Sequence, residues 1–375
     1  MSPRGRPAGS GSRRTAAAAV ALAAVALFTA CAFAGPEPSP PPPPPAASPS
    51  ATRPPGEPVT VVADLEAPWS LVQVATSVLI SERDTGRIRE LTAGGALRDV
   101  VTVEGIAHGG EGGLLGLAFD GDDGLYVYST AADGNRVERY ALEGAPGALR
   151  LTDPRIIVDA LPRAGNHNAG RIAFGPDGLL YIPVGDAGDR DAAQDPSALN
   201  GKILRLEPDG AVPADNPTPG SPVYSLGHRN VQGLAWAEDG RLFASEFGQD
   251  TWDELNEIMP GGNYGWPVVE GEGGEDEGFV DPLQAWATGD ASPSGIAVIG
   301  DRILIANLRG EVLRAVPLAD LGSSEDFYAG AFGRLRDVFA GPGGSVWVLT
   351  NNTDGRGDPR DGDDRIIAIP PALLD

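Results

Sequence analysis

Cysteine is almost absent: the 375-residue chain carries one thiol, Cys31. With Cys31 taken up by modification, no disulfide, thiolate metal site or cysteine nucleophile can form, so stability must come from burial. Histidine is nearly as scarce, and imidazole chemistry is confined to His108, His167 and His228. Basic charge is outnumbered, 28 Lys and Arg against 52 Asp and Glu for a formal net charge of −24, which argues against a nucleic-acid partner. Beyond the first thirty residues no long stretch repeats apolar residues every 3.6 positions, so a helical fold is excluded as well. What is plentiful is glycine, 52 residues, and proline, 35, beside 41% apolar content. That composition describes many short strands joined by turns around a sizeable core.

The N-terminus reads as export machinery. Arg4, Arg6, Arg13 and Arg14 precede an apolar run from Ala16 to Ala30, which falls short of the roughly 20 residues a spanning helix needs. The run ends in Phe28-Thr29-Ala30-Cys31, which resembles a bacterial lipobox with phenylalanine where leucine is preferred; the plainer alternative is an ordinary cleaved signal. Residues 1–30 are therefore expected to be a lipoprotein-type signal peptide with Cys31 as the lipidation site. Residues 31–58, with consecutive prolines from Pro40 to Pro45, are expected to form a stiff polyproline tether. The expected location is exported, on the outer face of the cytoplasmic membrane, with membrane contact only through the lipid.

Residues 59–375 carry one pattern six times: an apolar strand, a turn often containing Asp-Gly, and a second strand of aliphatic or aromatic residues. The copies are Trp69-Ser-Leu-Val-Gln-Val, Leu115-Gly-Leu-Ala-Phe, Arg171-Ile-Ala-Phe, Gly233-Leu-Ala-Trp, Gly295-Ile-Ala-Val and Arg336-Asp-Val-Phe, each with its partner strand. Their unequal spacing suits four-stranded blades, and the predicted fold is an all-β, six-bladed β-propeller of antiparallel blades. A solenoid is the alternative, but radial closure protects sheet edges that a solenoid must cap. Closure is predicted between Val59–Val62 and a strand near Arg365–Ile369.

Loops at one end of such a ring converge on the axis, so polar residues beside the repeated strands are the candidates for chemistry. His167 lies in Gly165-Asn-His-Asn-Ala-Gly-Arg171. Asp186 follows the next strand and can reach the same end, where a carboxylate on one imidazole nitrogen raises the basicity of the other. The alternative is a turn capped by Asp186. A second group is Gly227-His-Arg-Asn-Val-Gln-Gly233 with Glu246-Phe-Gly-Gln249 and Asn263-Tyr-Gly-Trp-Pro267; a third is Arg334-Leu-Arg336-Asp337. Alternate positions of an extended segment project both of its guanidinium groups to one side and suggest an anionic ligand; surface ion pairs are the alternative.

With Glu111-Gly-Gly-Leu-Leu-Gly116 added, these motifs in this order resemble the soluble pyrroloquinoline quinone (PQQ) dependent sugar dehydrogenases, the glucose/sorbosone dehydrogenase family, over roughly Leu65 to Ile369. The resemblance implies a PQQ- and calcium-dependent oxidation of aldose sugars to lactones, with hydride passing to the quinone and electrons to an external acceptor. It implies His167 as general base, Asp186 as its orienting carboxylate and Arg229 in the catalytic group. Glu111, Arg229, Asn230, Arg309, Arg334 and Arg336 would contact the cofactor's carboxylates, and the Gly248 and Gln249 carbonyls would hold calcium. Glu111, Phe247, Gln249 and Arg309 stand where the family usually has glutamine, a polar residue, proline and lysine. Glu111 and Phe247 motivate one alternative, a non-catalytic surface propeller binding a glycan or a protein; a calcium-dependent lactonase is another. The acidic stretch from Asp354 to Asp364 fits no EF-hand spacing and is expected to be a solvated loop, and the Gly271-to-Gly278 insert a mobile loop on the substrate side.

Overall fold

Strands of five or six residues with apolar positions on both faces cannot stand alone in water; they must stack sheet against sheet. In the computed structural model, which describes residues 56–370 and 374, they do so six times over. The expected signal peptide, Cys31 and the tether up to residue 55 lie outside the described residues. Six separate four-stranded antiparallel sheets form the blades of a propeller, and the regular structure between them consists of three short 3-10 turns. The innermost strands are Pro68–Val74, Leu114–Phe119, Ala173–Phe174, Val231–Trp236, Pro293–Ile299 and Leu335–Ala340, for blades 1 to 6. These are the six repeated segments.

The sixth blade combines both ends of the domain. Its outermost strand is Val59–Val62, paired antiparallel with Ile366–Ile369, so that Val59 lies opposite Ala368 and Thr60 opposite Ile367. The predicted closure is thereby met. Apolar side chains gather in six clusters, each lying mainly between two neighbouring blades. Leu79 and Ile88 of blade 1 meet Leu117 and Val127 of blade 2, and Ile80 of blade 1 meets Leu349 and Ile366 of blade 6. Full burial of each such side chain contributes roughly 1.5–3 kcal/mol, so the inter-blade faces supply the cohesion that disulfides do not.

On the axis the inner strands carry polar residues instead. Arg171 of blade 3 reaches Asp337 of blade 6 at 3.0 Å, the Gln232 carbonyl of blade 4 at 2.9 Å and the Ser70 hydroxyl of blade 1 at 3.3 Å. Asp337 also accepts the Leu71 amide at 3.1 Å, and Arg336 donates to Gln232 Oε1 at 2.8 Å and Ser294 Oγ at 3.3 Å. This polar belt ties five of the six blades together across the bore. It leaves no room for a side chain at residue 295: a Cβ on Gly295 would lie 1.9 Å from Asp337 Oδ1. We therefore predict that Gly295→Ala lowers stability by about 2 kcal/mol or more. Gly289→Ala, where a Cβ meets nothing within 4 Å, serves as the control in parallel urea melts; equal midpoints for the two variants would contradict a packed axial belt.

Candidate active site

In each blade the loop before the innermost strand and the turn after the second strand emerge at the same ring end. His167 precedes Ala173–Phe174 and Asp186 follows Leu180–Val184; Arg229 precedes Val231–Trp236 and Gln249 follows Leu242–Glu246. Backbone bonds stitch these loops together: the Asp186 amide donates to the Arg229 carbonyl at 2.8 Å, and the Ala169 amide to Asn230 Oδ1 at 2.9 Å.

His167 Nδ1 lies 2.6 Å from Asp186 Oδ1. The same oxygen takes the Gly188 amide at 2.8 Å, so the capped-turn and orienting-carboxylate readings are both true of Asp186. Its other oxygen accepts the Trp266 indole N–H at 2.9 Å. Burial alone would raise the Asp186 pKa, but the bonds from His167, Gly188 and Trp266 outweigh it and hold the carboxyl below its ordinary value. An ionised Asp186 accepts the Nδ1 proton, which leaves His167 Nε2 with its lone pair, and Asn166 Nδ2 lies 3.1 Å from that nitrogen. The imidazole is thus oriented from both sides, Nδ1 on Asp186 and Nε2 toward Asn166.

Guanidinium groups lie on the neighbouring loops. Arg229 donates to the Phe247 carbonyl at 3.0 Å and to Gln249 Oε1 at 3.4 Å, and stacks over the Trp266 ring at 5.4 Å; Arg190 covers Trp266 too, at 4.5 Å. Arg334 and Arg336 both approach Asp354 Oδ2, at 3.3 and 3.8 Å, as their alternate spacing predicts. Arg83 joins them through the Asp354 carbonyl at 3.4 Å. Burial, reinforced by Arg83, Arg334 and Arg171, pushes the Arg336 pKa down to about 9 despite Asp354. Arg334 and Arg336 therefore share a single carboxylate, while Arg83 has Asp84 at 2.7 Å. Arg334 Nε and Asn230 Nδ2 are buried donors without a partner among the described residues, a state that an acceptor-rich anion would relieve.

Glu111 faces this group. Its Oε2 accepts the His167 amide at 2.8 Å and its Oε1 pairs with Arg356 at 3.4 Å, so its charge is met by an arginine. The predicted solvated loop from Asp354 to Asp364 needs correction at both ends. Asp354 is buried against Arg334 and Arg336, and Asp364 is buried under bonds from Thr350, Asn352 and Thr353; only the middle is exposed. Arg309 stands apart, exposed on the turn after Arg302–Asn307 and lining a different cavity. His228 is buried and bonded to Glu246 Oε2 at 2.9 Å, while Glu246 Oε1 accepts the Arg229 amide, so His228 supports the loop from behind.

The turn bearing Gly248 and Gln249 is pinned from one side. Glu270 Oε1 accepts the amides of Gln249, Asp250, Thr251 and Trp252, between 2.6 and 3.3 Å. In a planar trans peptide the carbonyl opposes the amide, so the Gly248 and Gln249 carbonyls turn away from Glu270. Among the described residues no group of three or more His, Cys, Asp or Glu side chains is suited to a metal ion. Trp266, Asn166, Arg83, Asp354 and Arg356 were not singled out on sequence for these contacts. Trp266 had a signal in the Asn263–Pro267 run and Asn166 in the loop of His167; Asp354 and Arg356 lay in a stretch read as solvated, and Arg83 had none.

Residues 65–358 match the family model described as glucose/sorbosone dehydrogenase. The chain belongs to that family. Among solved structures, the PQQ-bound aldose sugar dehydrogenase of Streptomyces coelicolor is 46% identical, covers 84% of this chain and 98% of its own, and has a TM-score of 0.79. An oxidoreductase of Thermus thermophilus, described as a glucose dehydrogenase, is 41% identical, covers 84% of this chain and all of its own (100%), with a TM-score of 0.77. The aldose sugar dehydrogenase of Escherichia coli K12 is 29% identical over 333 residues, 78% of this chain and 89% of its own. The glucose/sorbosone dehydrogenases are oxidoreductases, and the motifs read from the sequence fall inside the matched span.

Because the folded pKa of Asp186 lies below its unfolded value of about 3.9, its stabilising contribution is present at neutral pH and lost as the pH falls through the folded value. Urea unfolding of the wild type and Asp186→Asn from pH 7 to pH 3 should give a stability difference that narrows below about pH 4. A difference constant over that range would mean that the carboxylate is not held by these bonds.

Proposed function

We propose that this glucose/sorbosone dehydrogenase family member oxidises aldose sugars with PQQ as cofactor and His167 as general base. The observation that carries the proposal is the imidazole held by Asp186, itself fixed by Trp266, on a loop bonded to that of Arg229 and Asn230, with Arg334 and Arg336 sharing one carboxylate. A cofactor bearing three carboxylates fits that group. Arg229, Asn230, Arg334 and Arg336 would hold it, and the unpartnered Arg334 Nε and Asn230 Nδ2 are donors in want of acceptors. When bound, PQQ would supply a quinone carbonyl carbon as hydride acceptor, and the Gly248 and Gln249 carbonyls would hold calcium as a Lewis acid for it.

The chain's own work is to move a proton. His167 Nε2 takes it from the sugar's anomeric hydroxyl, and Asp186, already ionised, stabilises the imidazolium that forms. Trp266 keeps Asp186 in place and is itself held under the guanidinium groups of Arg190 and Arg229. Glu111, by holding the His167 amide, fixes the loop on the other side. Oxidation at the anomeric carbon yields a lactone, and an external acceptor takes the electrons. Export and a lipid anchor on Cys31 complete the proposal. The binding-propeller and lactonase alternatives are not favoured, given the family.

The test is reconstitution of the full chain with PQQ and calcium, read as sugar-dependent dye reduction over a panel of aldoses. His167→Gln is expected to lower kcat by about 10²–10⁴-fold while the absorbance of bound quinone is retained. A wild type that binds quinone yet reduces no dye with any aldose would overturn the catalytic reading.

A further inference from the structure

Between blades 4 and 5, at the same ring end but outside the His167 group, lies a cavity of about 610 Å³ lined by Trp252, Trp286, Asp290, Arg309, Arg314 and Asp326. Its volume falls in the range of small-molecule sites. Trp252 opens the strand Trp252–Glu257 and is 39% exposed, an unusual amount of indole surface to leave in water. Trp286 lies on the adjoining strand Gln284–Ala287, opposite Asp253, with the Arg314 guanidinium 4.6 Å above its ring.

Arg314 is the second, independent observation. It is buried, 6% exposed, and two of its nitrogens grip Asp326 at 2.7 and 2.9 Å. Its third, Nη1, is buried with no partner among the described residues, in a side chain that lines the cavity. The Arg314 charge is already answered by Asp326, and the lining pairs the exposed Arg309 with one further carboxylate, Asp290, so the cavity offers directed donors and acceptors without net charge. An anion finds no excess cation there, and a purely apolar ligand would leave Nη1 unpaired. A pyranose meets both conditions, because one face is a sheet of C–H groups that lies on an indole and its rim of hydroxyls both donates and accepts.

We infer that this cavity is a carbohydrate-binding site separate from the His167 centre, taking neutral oligosaccharide with a sugar face on Trp252 and a hydroxyl on Arg314 Nη1. Trp252 lies three residues beyond Gln249, whose side chain touches Arg229, so the two sites are linked by no more than about 11 Å of chain. The site holds a glycan at the rim of the ring whatever happens at the centre.

The experiment titrates the full chain, without added cofactor, with maltotriose, cellotriose, laminaritriose and trigalacturonate by calorimetry. At least one neutral trisaccharide is expected to bind, Trp252→Ala to weaken it at least tenfold, Arg314→Lys to weaken it several-fold, and His167→Gln to leave it unchanged. Arg314→Lys keeps the charge opposite Asp326 and provides the reading if Trp252→Ala does not fold. Binding of none of the neutral sugars, binding of trigalacturonate alone, or neutral binding untouched by either cavity variant each overturns the inference. Since no quinone is present, failure here leaves the dehydrogenase proposal standing, and failure of dye reduction leaves this site standing.

Discussion

Six blades form a closed ring only if their inner strands meet on one axis, and here a single guanidinium spans it. Arg171 contacts blades 1, 4 and 6 from blade 3, and its ion pair with Asp337 is buried. Removing charge from water is expensive, and burial drives the Asp337 pKa upward; the amides of Leu71 and Val338 bond Asp337, and the Gln232 carbonyl and Ser70 hydroxyl bond Arg171, leaving its Nη2 without a partner among the described residues. Such a belt adds less to stability than the apolar faces between blades. What it supplies is registration, since breaking one partner strands the other, and a glycine at 295 is needed to make room for it.

The same belt is the floor on which the site rests. Arg336 belongs to both, bonding Gln232 and Ser294 on the axis and Asn351 beside the site, while Arg334, two residues earlier, faces Asp354. Moving along the axis from belt to rim, charge compensation changes: Arg171 has a carboxylate of its own and Arg83 grips Asp84, whereas Arg334 and Arg336 share Asp354. An acidic protein thereby gathers several guanidinium groups at one end of the ring. Asp186 links the two halves, since its carboxylate is shared by the imidazole and by the indole that Arg229 covers.

Much of this was legible in the chain. Six repeated segments became six innermost strands, and Val59–Val62 closes the ring against Ile366–Ile369 as their β-pattern predicts, because a two-residue period and turn chemistry are local properties. The loops of His167, Asp186, Arg229 and Asn230 came together, and Arg334 with Arg336, since each lies at or beside the end of a strand whose direction was already known. The stretch from Asp354 to Asp364 misled: a run of acids and glycines reads the same whether it faces water or a cluster of arginines. Glu111 was ambiguous for a related reason, as its charge is tolerable only because Arg356, 245 positions away, meets it. Trp266 could be noticed as part of a motif but not given its partner, 80 positions distant.

Sequence by itself determined the blade count, the strand alternation and the positions that carry imidazole and paired guanidinium groups, all of which depend on neighbours within a few residues. Only the tertiary structure decided which carboxylate answers which arginine, which tautomer His167 holds, and that two tryptophans and a buried arginine share a cavity between blades 4 and 5. Those outcomes depend on distances between segments separated by tens to hundreds of residues. Electrostatic and hydrogen-bond energies are set by such distances and by burial, and the ring creates both only when it closes.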